Sequence, residues 1–255
     1  MSLGTASSFA VLAGPAVTCT DSTINGDVGI VSPVPPGSSV TQINCTFNGT
    51  EHLGDPVAQQ AYADFLIAYD ALALKQCDEF LSGTLAGVTL KPGVYCFDAA
   101  ATLTGTLTLA GPSKGIWIFK IGTGGTGALT GTNFSVVMAN GALACNVYWR
   151  VAETATMTTS DFKGTILAGA AITLTGGSFA GRALTSAAVT LTGVAATGCR
   201  GGTFNPPLQR CNQGVGNGPE LCDPGNSNQG RNPFVGSNDD LGGVPRNPGR
   251  KGGNK

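Results

Sequence analysis

Apolar and polar positions alternate with period two along most of the chain. Ile172-Thr-Leu-Thr175 and Val189-Thr-Leu-Thr192 are clear cases. Period two sends successive side chains to opposite faces of a strand. Short β-like runs such as Phe9-Ala-Val-Leu12, Gly93-Val-Tyr-Cys-Phe97, Ile116-Trp-Ile-Phe119 and Asn146-Val-Tyr-Trp149 are separated by Gly-rich turns. One interval breaks the pattern. Residues 55–77 contain no Gly, and Val57, Ala61, Phe65, Ala68 and Leu72 recur at helical spacing. Asp55 is a suitable N-cap and Pro56 suits the first helical position. The spacing predicts one helix over 55–77. A second apolar edge, Tyr62, Leu66, Tyr69 and Ala73, widens its stripe, so the helix should lie against something large.

The alternation is organised by an internal repeat. Met157-Thr158 matches Leu174-Thr175 and Leu191-Thr192, Phe162 matches Phe179, Gly164 matches Gly181, and Leu167 matches Leu184. Each offset is 17 residues (174 − 157, 179 − 162, 184 − 167). A β repeat this short reads as a solenoid in which each repeat is one coil of three brief strands.

Alternation then assigns directions. The aliphatic residues of each T-x-T run must face the core, so the threonines face out. Stacked coils build two outward columns: Thr156, Thr173 and Thr190, and Thr158, Thr175 and Thr192. Neighbours lie about 6.7 Å apart along a strand and about 4.8 Å apart between coils. The expected surface is a flat lattice of methyl and hydroxyl groups, stiff because Thr is restricted at χ1. Outward threonines also suit any β-solenoid on propensity alone. Thr102, Thr104, Thr106 and Thr108, and Thr130 with Thr132, form further runs outside the 17-residue register. Loops or a changed coil order should separate them from it.

Composition adds limits. Charged residues are 11% of the chain and the net charge is −1, which gives nucleic acid or an anionic membrane no electrostatic hold. No apolar run is long enough to span a membrane. No basic segment precedes the apolar stretch 9–17, so no signal peptide is expected, with Met1 added near a mature end. The eight cysteines form no CxxC pair, so disulfides and an oxidising, extracellular setting are expected. Eight cysteines allow about 105 connectivities. Pairing sequence neighbours joins Cys19 to Cys45, Cys77 to Cys96, Cys145 to Cys199 and Cys211 to Cys222. Two parts are expected: a solenoid over 1–204, and a Gly-, Asn- and Pro-rich tail over 205–255 that cannot bury a core.

The chain resembles the microbial ice-binding protein family. The matching segments are Leu3-Gly-Thr-Ala-Ser-Ser-Phe-Ala-Val-Leu-Ala13, Thr23-Ile-Asn-Gly-Asp-Val-Gly29 and Leu90-Lys-Pro-Gly-Val-Tyr-Cys-Phe97. Leu103-Thr-Gly-Thr-Leu-Thr-Leu109, Ile116-Trp-Ile-Phe-Lys-Ile121, Ala144-Cys-Asn-Val-Tyr-Trp149 and Gly181-Arg-Ala-Leu184 continue the set in family order. The resemblance implies a mainly β fold: a discontinuous triangular β-solenoid with one long helix packed alongside. It also implies adsorption to an ice crystal surface through one flat face, with thermal hysteresis and inhibition of recrystallisation. Thr130-Gly-Thr-Asn133 and Thr123-Gly-Gly-Thr126 match a motif found on that face in the family. The 17-residue coils depart from it, with T-x-T followed by Gly.

Other chemistry is weaker. Gly122-Thr-Gly-Gly-Thr-Gly127 has dinucleotide-fingerprint spacing, but a strand rather than a helix is expected after it, so its glycines read as turns. His52, the single histidine, reads as a solvated loop residue beside Glu51. Asp161 is the one acid within the periodic coils and aligns with Ser178, so no paired carboxylates form a glycosidase site. The loop between Cys211 and Cys222 offers oxygen ligands for calcium, but its spacing is not that of an EF-hand, so little points to a site there. No cofactor, no metal and no enzymatic activity are expected. The competing reading is a non-catalytic adhesin or matrix protein using the same solenoid, with self-association or surface attachment through the tail.

Overall fold

The computed structural model describes residues 2–32 and 39–199. The expected tail, with Cys211, Cys222 and the calcium loop, lies outside the described residues. The described strands form one parallel β-solenoid whose coils stack in three ladders. The 17-residue repeat holds across the strands Ala155–Ala168, Ile172–Thr185 and Val189–Thr192. Thr156 pairs with Thr173, and Thr173 with Thr190.

Coil order differs from chain order. The strand Val189–Thr192 pairs with Ala16–Thr20, and Ala195–Gly198 pairs with Thr23–Asn25. The two N-terminal coils therefore extend the C-terminal end of the stack. The helix then carries the chain back towards the opposite end, where Glu79–Phe80 pairs with Gly93–Phe97. The ladder beneath the helix has nine strands from Glu51–Leu53 to Glu79–Phe80. Eight steps span about 38 Å. The helix covers roughly 27 Å of that at 1.5 Å per residue, and the segment 74–78 completes the return.

The helix spans Pro56–Ala73. The Asp55 carboxylate accepts the Ala58 N–H at 2.8 Å, as an N-cap should. Ala61, Phe65, Ala68 and Leu72 are buried against Leu12, Ile118, Tyr148, Leu167 and Leu184 of the ladder. Burial of Phe65 and Leu72 contributes about 1.5–3 kcal/mol each. The helix stops at Ala73, short of the expected 77. The Lys120 ammonium donates to the Ala73 carbonyl at 2.8 Å and to the Lys75 carbonyl at 2.7 Å. A cation there satisfies terminal carbonyls and complements the helix dipole. Cys77 is then held away by its bond to Cys96. The apolar stripe is also narrower than expected, because Val57 and Leu66 are exposed. Tyr69 instead donates to the Val151 carbonyl, with the Arg150 guanidinium 4.4 Å above its ring.

The interior is a column of rings and aliphatic rows. Tyr95, Phe119, Trp149, Phe162 and Phe179 follow one another through successive coils, with Phe119 and Trp149 stacked at 3.9 Å. Both indoles donate to carbonyls, Trp117 to Leu90 and Trp149 to Lys163. Gly164 and Gly181 match in the repeat for a packing reason. A Cβ on Gly164 would meet the Trp149 indole, and one on Gly181 would collide with the Gly164 carbonyl.

One corner repeats through the whole stack. The residue after each outward-facing segment has positive φ: Gly105, Asn133, Thr159, Gly176, Gly193, Asp21 and Asn44. Gly and Asn adopt this left-handed conformation readily. The T-x-T-Gly of the regular coils and the Thr130-Gly-Thr-Asn133 motif are thus the same turn. Thr159 alone puts a β-branched residue there, at φ 49°. Thr159→Asn should therefore stabilise the fold by about 1 kcal/mol, read as a rise in melting temperature of about 2–4 °C.

Two carboxylates anchor the helix electrostatically. The Ala58 N–H, aided by His52, holds the Asp55 carboxyl below its ordinary pKa. The Thr5 N–H, donating at 2.6 Å, does the same for Asp64 despite some desolvation. A lowered folded-state pKa adds stability that is complete above the unfolded value of about 3.9. That stability is lost as pH falls through the lowered folded values. Melting temperature should therefore drop in acid below about pH 4, and Asp55→Asn with Asp64→Asn should flatten that drop.

Candidate functional site

The outward threonines converge on one ladder. Its strands run Ser39–Ile43, Ala16–Thr20, Val189–Thr192, Ile172–Thr185, Ala155–Ala168, Leu129–Ala139 and Ala101–Ala110. Along them Thr41, Thr18, Thr190, Thr173, Thr156, Thr130 and Thr102 stand in register. A second column holds Thr20, Thr192, Thr175, Thr158 and Thr132, ending at Ile43. The register shifts after Leu103, where Thr104 lies. The inward partners Ile172, Leu174, Val189 and Leu191 are buried, as the alternation requires.

All eight threonines singled out from the sequence lie on this ladder, including Thr130 and Thr132. Their offset to Thr156 and Thr158 is 26 rather than 17, because residues 140–146 form a longer corner around the short 3-10 turn Ala144–Asn146. Thr106 and Thr108 turn away at Gly105 and join the second ladder. Thr123 sits in a corner and donates to the Asp98 carboxylate. Thr18, Thr20, Thr41 and Thr102 were missed by the 17-residue offset. A five-residue pattern would have found Thr18, Thr20 and Thr102, though not Thr41, whose strand reads Ser39-Val-Thr-Gln-Ile43. Ala16-Val-Thr-Cys-Thr20, Ala100-Ala-Thr-Leu-Thr104, Ala128-Leu-Thr-Gly-Thr132, Ala171-Ile-Thr-Leu-Thr175 and Ala188-Val-Thr-Leu-Thr192 share A-x-T-x-T.

The face has two chemical properties. None of its outward residues is charged. Among the described residues, its threonine hydroxyls have no side-chain partner except at Thr41, which meets Ser39 at 3.5 Å. The other two ladders differ. The second carries Asp161 and Lys163, paired at 2.6 Å, with Ser178 also bonded to Asp161. The third lies under the helix.

The remaining candidates are structural. His52 is in the strand Glu51–Leu53, not a loop, and its side chain is only 15% exposed. Its Nδ1 lies 2.7 Å from Asp55 and its ring packs 5.2 Å from that of Phe9, which explains the burial. Gly122 and Gly127 form a corner that leads into the strand Leu129–Ala139, and the Gly127 N–H donates to Glu153. Disulfides join Cys19 to Cys45, Cys77 to Cys96 and Cys145 to Cys199. Among the described residues, no group of three or more His, Cys, Asp or Glu side chains could hold a metal. No described helix is long and apolar enough to cross a membrane.

Comparison with known proteins gives a consistent result. Residues 11–197 match the ice-binding-like family. An ice-binding protein from Nostoc sp. (strain HG1) is 42% identical over 177 residues, covering 67% of this chain and 63% of that protein. One from Flavobacterium frigoris (strain PS1) is 32% identical over 189 residues, covering 68% and 66%. The chain thus spans just under two thirds of the length of these relatives. The crystal structure of an ice-binding protein from the Antarctic ascomycete Antarctomyces psychrotrophicus superposes with a TM-score of 0.71. It is 34% identical, with 77% of this chain and 97% of that one covered. On the matched segment and the identity to these relatives, the chain belongs to the ice-binding-like family.

Proposed function

We propose that the threonine ladder adsorbs to ice, giving thermal hysteresis and inhibition of recrystallisation. The observation that carries this reading is a charge-free exposed ladder with a threonine in every row, its hydroxyls almost wholly unused by the protein. Such a surface meets a periodic solid without stripping water from ions, which is costly. Its threonines are restricted at χ1, so little side-chain entropy remains to be lost on adsorption. The site comprises Thr130, Thr132, Thr156, Thr158, Thr173, Thr175, Thr190 and Thr192, together with Thr18, Thr20, Thr41 and Thr102. The solenoid domain is assigned to 1–204 and works outside the cell, where its disulfides persist. Its action needs no cofactor and no catalysis.

Replacing Thr175 or Thr20 with Tyr should abolish crystal faceting and hysteresis while leaving circular dichroism unchanged. Thr197→Tyr, exposed on the second ladder, should keep full activity. Full activity in both ladder variants places the site elsewhere. Round crystals with normal recrystallisation for the unaltered protein would favour the adhesin instead.

The hydroxyls on this face should also be dispensable for folding. Thr190→Val should change unfolding stability by no more than about 0.5 kcal/mol. By contrast, the buried Thr185 hydroxyl donates to the Ala170 carbonyl and accepts from the Ala187 N–H. Thr185→Val should cost about 1–3 kcal/mol, because it strands those groups. Chemical denaturation of both variants reads the contrast.

A further inference from the structure

We propose that the Cys19–Cys45 disulfide is a positioning clamp that holds the last row of the threonine ladder in register. The inference rests on the ice-adsorption reading for its functional meaning, though not for its structural content. Of the three disulfides among the described residues, this one alone has a sulfur within a strand of the threonine ladder. Cys77–Cys96 ties the helix exit to the ladder under the helix, and Cys145–Cys199 ties a corner to the end of the described C-terminal segment. Cys19 lies between Thr18 and Thr20, with its side chain fully buried beneath the face. Cys45 lies two residues beyond Ile43, just past the left-handed corner at Asn44.

The row that needs holding is Ser39–Ile43. It pairs with Ala16–Thr20 on one side, and no described strand covers its other edge. An edge row has half the backbone partners of an interior row, so it opens at lower free energy. Of its side chains only Val40 packs against the core, and it is only partly buried. Ile43 is 52% exposed, and Gln42, which pairs with Cys19, is exposed too. The strand's C-terminal end is closed by the Asp21 N–H on the Ile43 carbonyl and by Asn44 on the Asp21 carboxylate at 3.0 Å. These bonds lie at the surface, where water competes for them. Apart from the backbone, the disulfide is the one covalent cross-link between this row and the next among the described residues. A one-residue slip would send Thr41 inward and put Val40 or Gln42 on the face. The bond from Cys19 to Cys45 forbids that slip.

The test compares the full chain with its Cys19→Ala, Cys45→Ala double variant. Amide hydrogen exchange over 40–43 should accelerate at least tenfold, with exchange over 173–175 unchanged. Fluorescence of Trp117 and Trp149, which lie in strands several coils away, reports that the rest of the stack is folded. Thr41→Tyr should lower hysteresis in the disulfide-bonded protein and have no further effect in the double variant. Unchanged exchange over 40–43 overturns the clamp. So does an equal effect of Thr41→Tyr in both backgrounds. If the unaltered protein lacks hysteresis but exchange still accelerates, the clamp stands and the ice reading falls.

Discussion

Every outward threonine is placed by the buried residue beside it. Val189, Leu191, Ile172 and Leu174 cannot leave the core without exposing large apolar surface, so Thr190, Thr192, Thr173 and Thr175 cannot enter it. The parallel ladder then copies that choice from coil to coil. Where the buried residue changes size, its neighbour compensates. Gly131 leaves space that the Met157 sulfur occupies, since a Cβ on Gly131 would lie 2.5 Å from that sulfur. The outer columns stay in register because the inner ones are buried and paired coil to coil. The surface is therefore a consequence of packing in the layer beneath it.

The same constraint explains the route of the chain. A solenoid exposes an unpaired edge at each end, and edges invite wrong partners. Here the strand Val189–Thr192 meets Ala16–Thr20, so the end of the 17-residue repeat is covered by the N-terminal coils. That junction needs residues far apart in sequence and gives the fold a large share of non-local pairing, which slows folding. The helix makes the junction possible. It returns the chain along the stack while covering the one ladder whose outward side is apolar, through Leu12, Ile118, Leu167 and Leu184.

The legible parts of this protein are those where local chemistry repeats without interruption. The coils from Thr156 to Thr192 contain no insertion, so a fixed offset exposed them, together with the direction of their threonines. Asp55, Pro56 and four of the five buried helix positions, Ala61, Phe65, Ala68 and Leu72, were equally readable; Val57, grouped with them, is exposed, and Ala58 is buried in its place. The helix end was not, because it depends on Lys120, a residue 47 positions beyond Ala73. Thr18, Thr20 and Thr41 were hidden for a different reason. They adjoin the repeat in space but precede it by more than a hundred residues, and no offset links them. His52 was misread because the aromatic ring of Phe9 and the carboxylate of Asp55 reach it from separate segments. Pairings between distant segments are not written in any local window.

The left-handed corner joins these levels. A threonine strand must turn sharply to send the chain towards the second ladder, and the turn falls directly after the second threonine column. Gly or Asn suits it, which leaves little or no side chain standing above the rim of the face at those rows. Neither Asp21 nor Asn44 projects freely there, because the two are bonded to each other. The corner thus limits the face on one side, as the end of the strand does on the other. Charge is kept off this strip: Asp161 and Lys163 neutralise one another on the second ladder, and Lys120 and Arg150 lie on the ladder beneath the helix. What remains between the rims is a strip of methyl and hydroxyl groups that the fold builds but does not itself use. A surface with fixed spacing, no charge and unspent hydrogen bonds is suited to a partner that is itself ordered, uncharged and rich in hydrogen bonds. Ice meets all three requirements, whereas a flexible or charged polymer meets at most one or two.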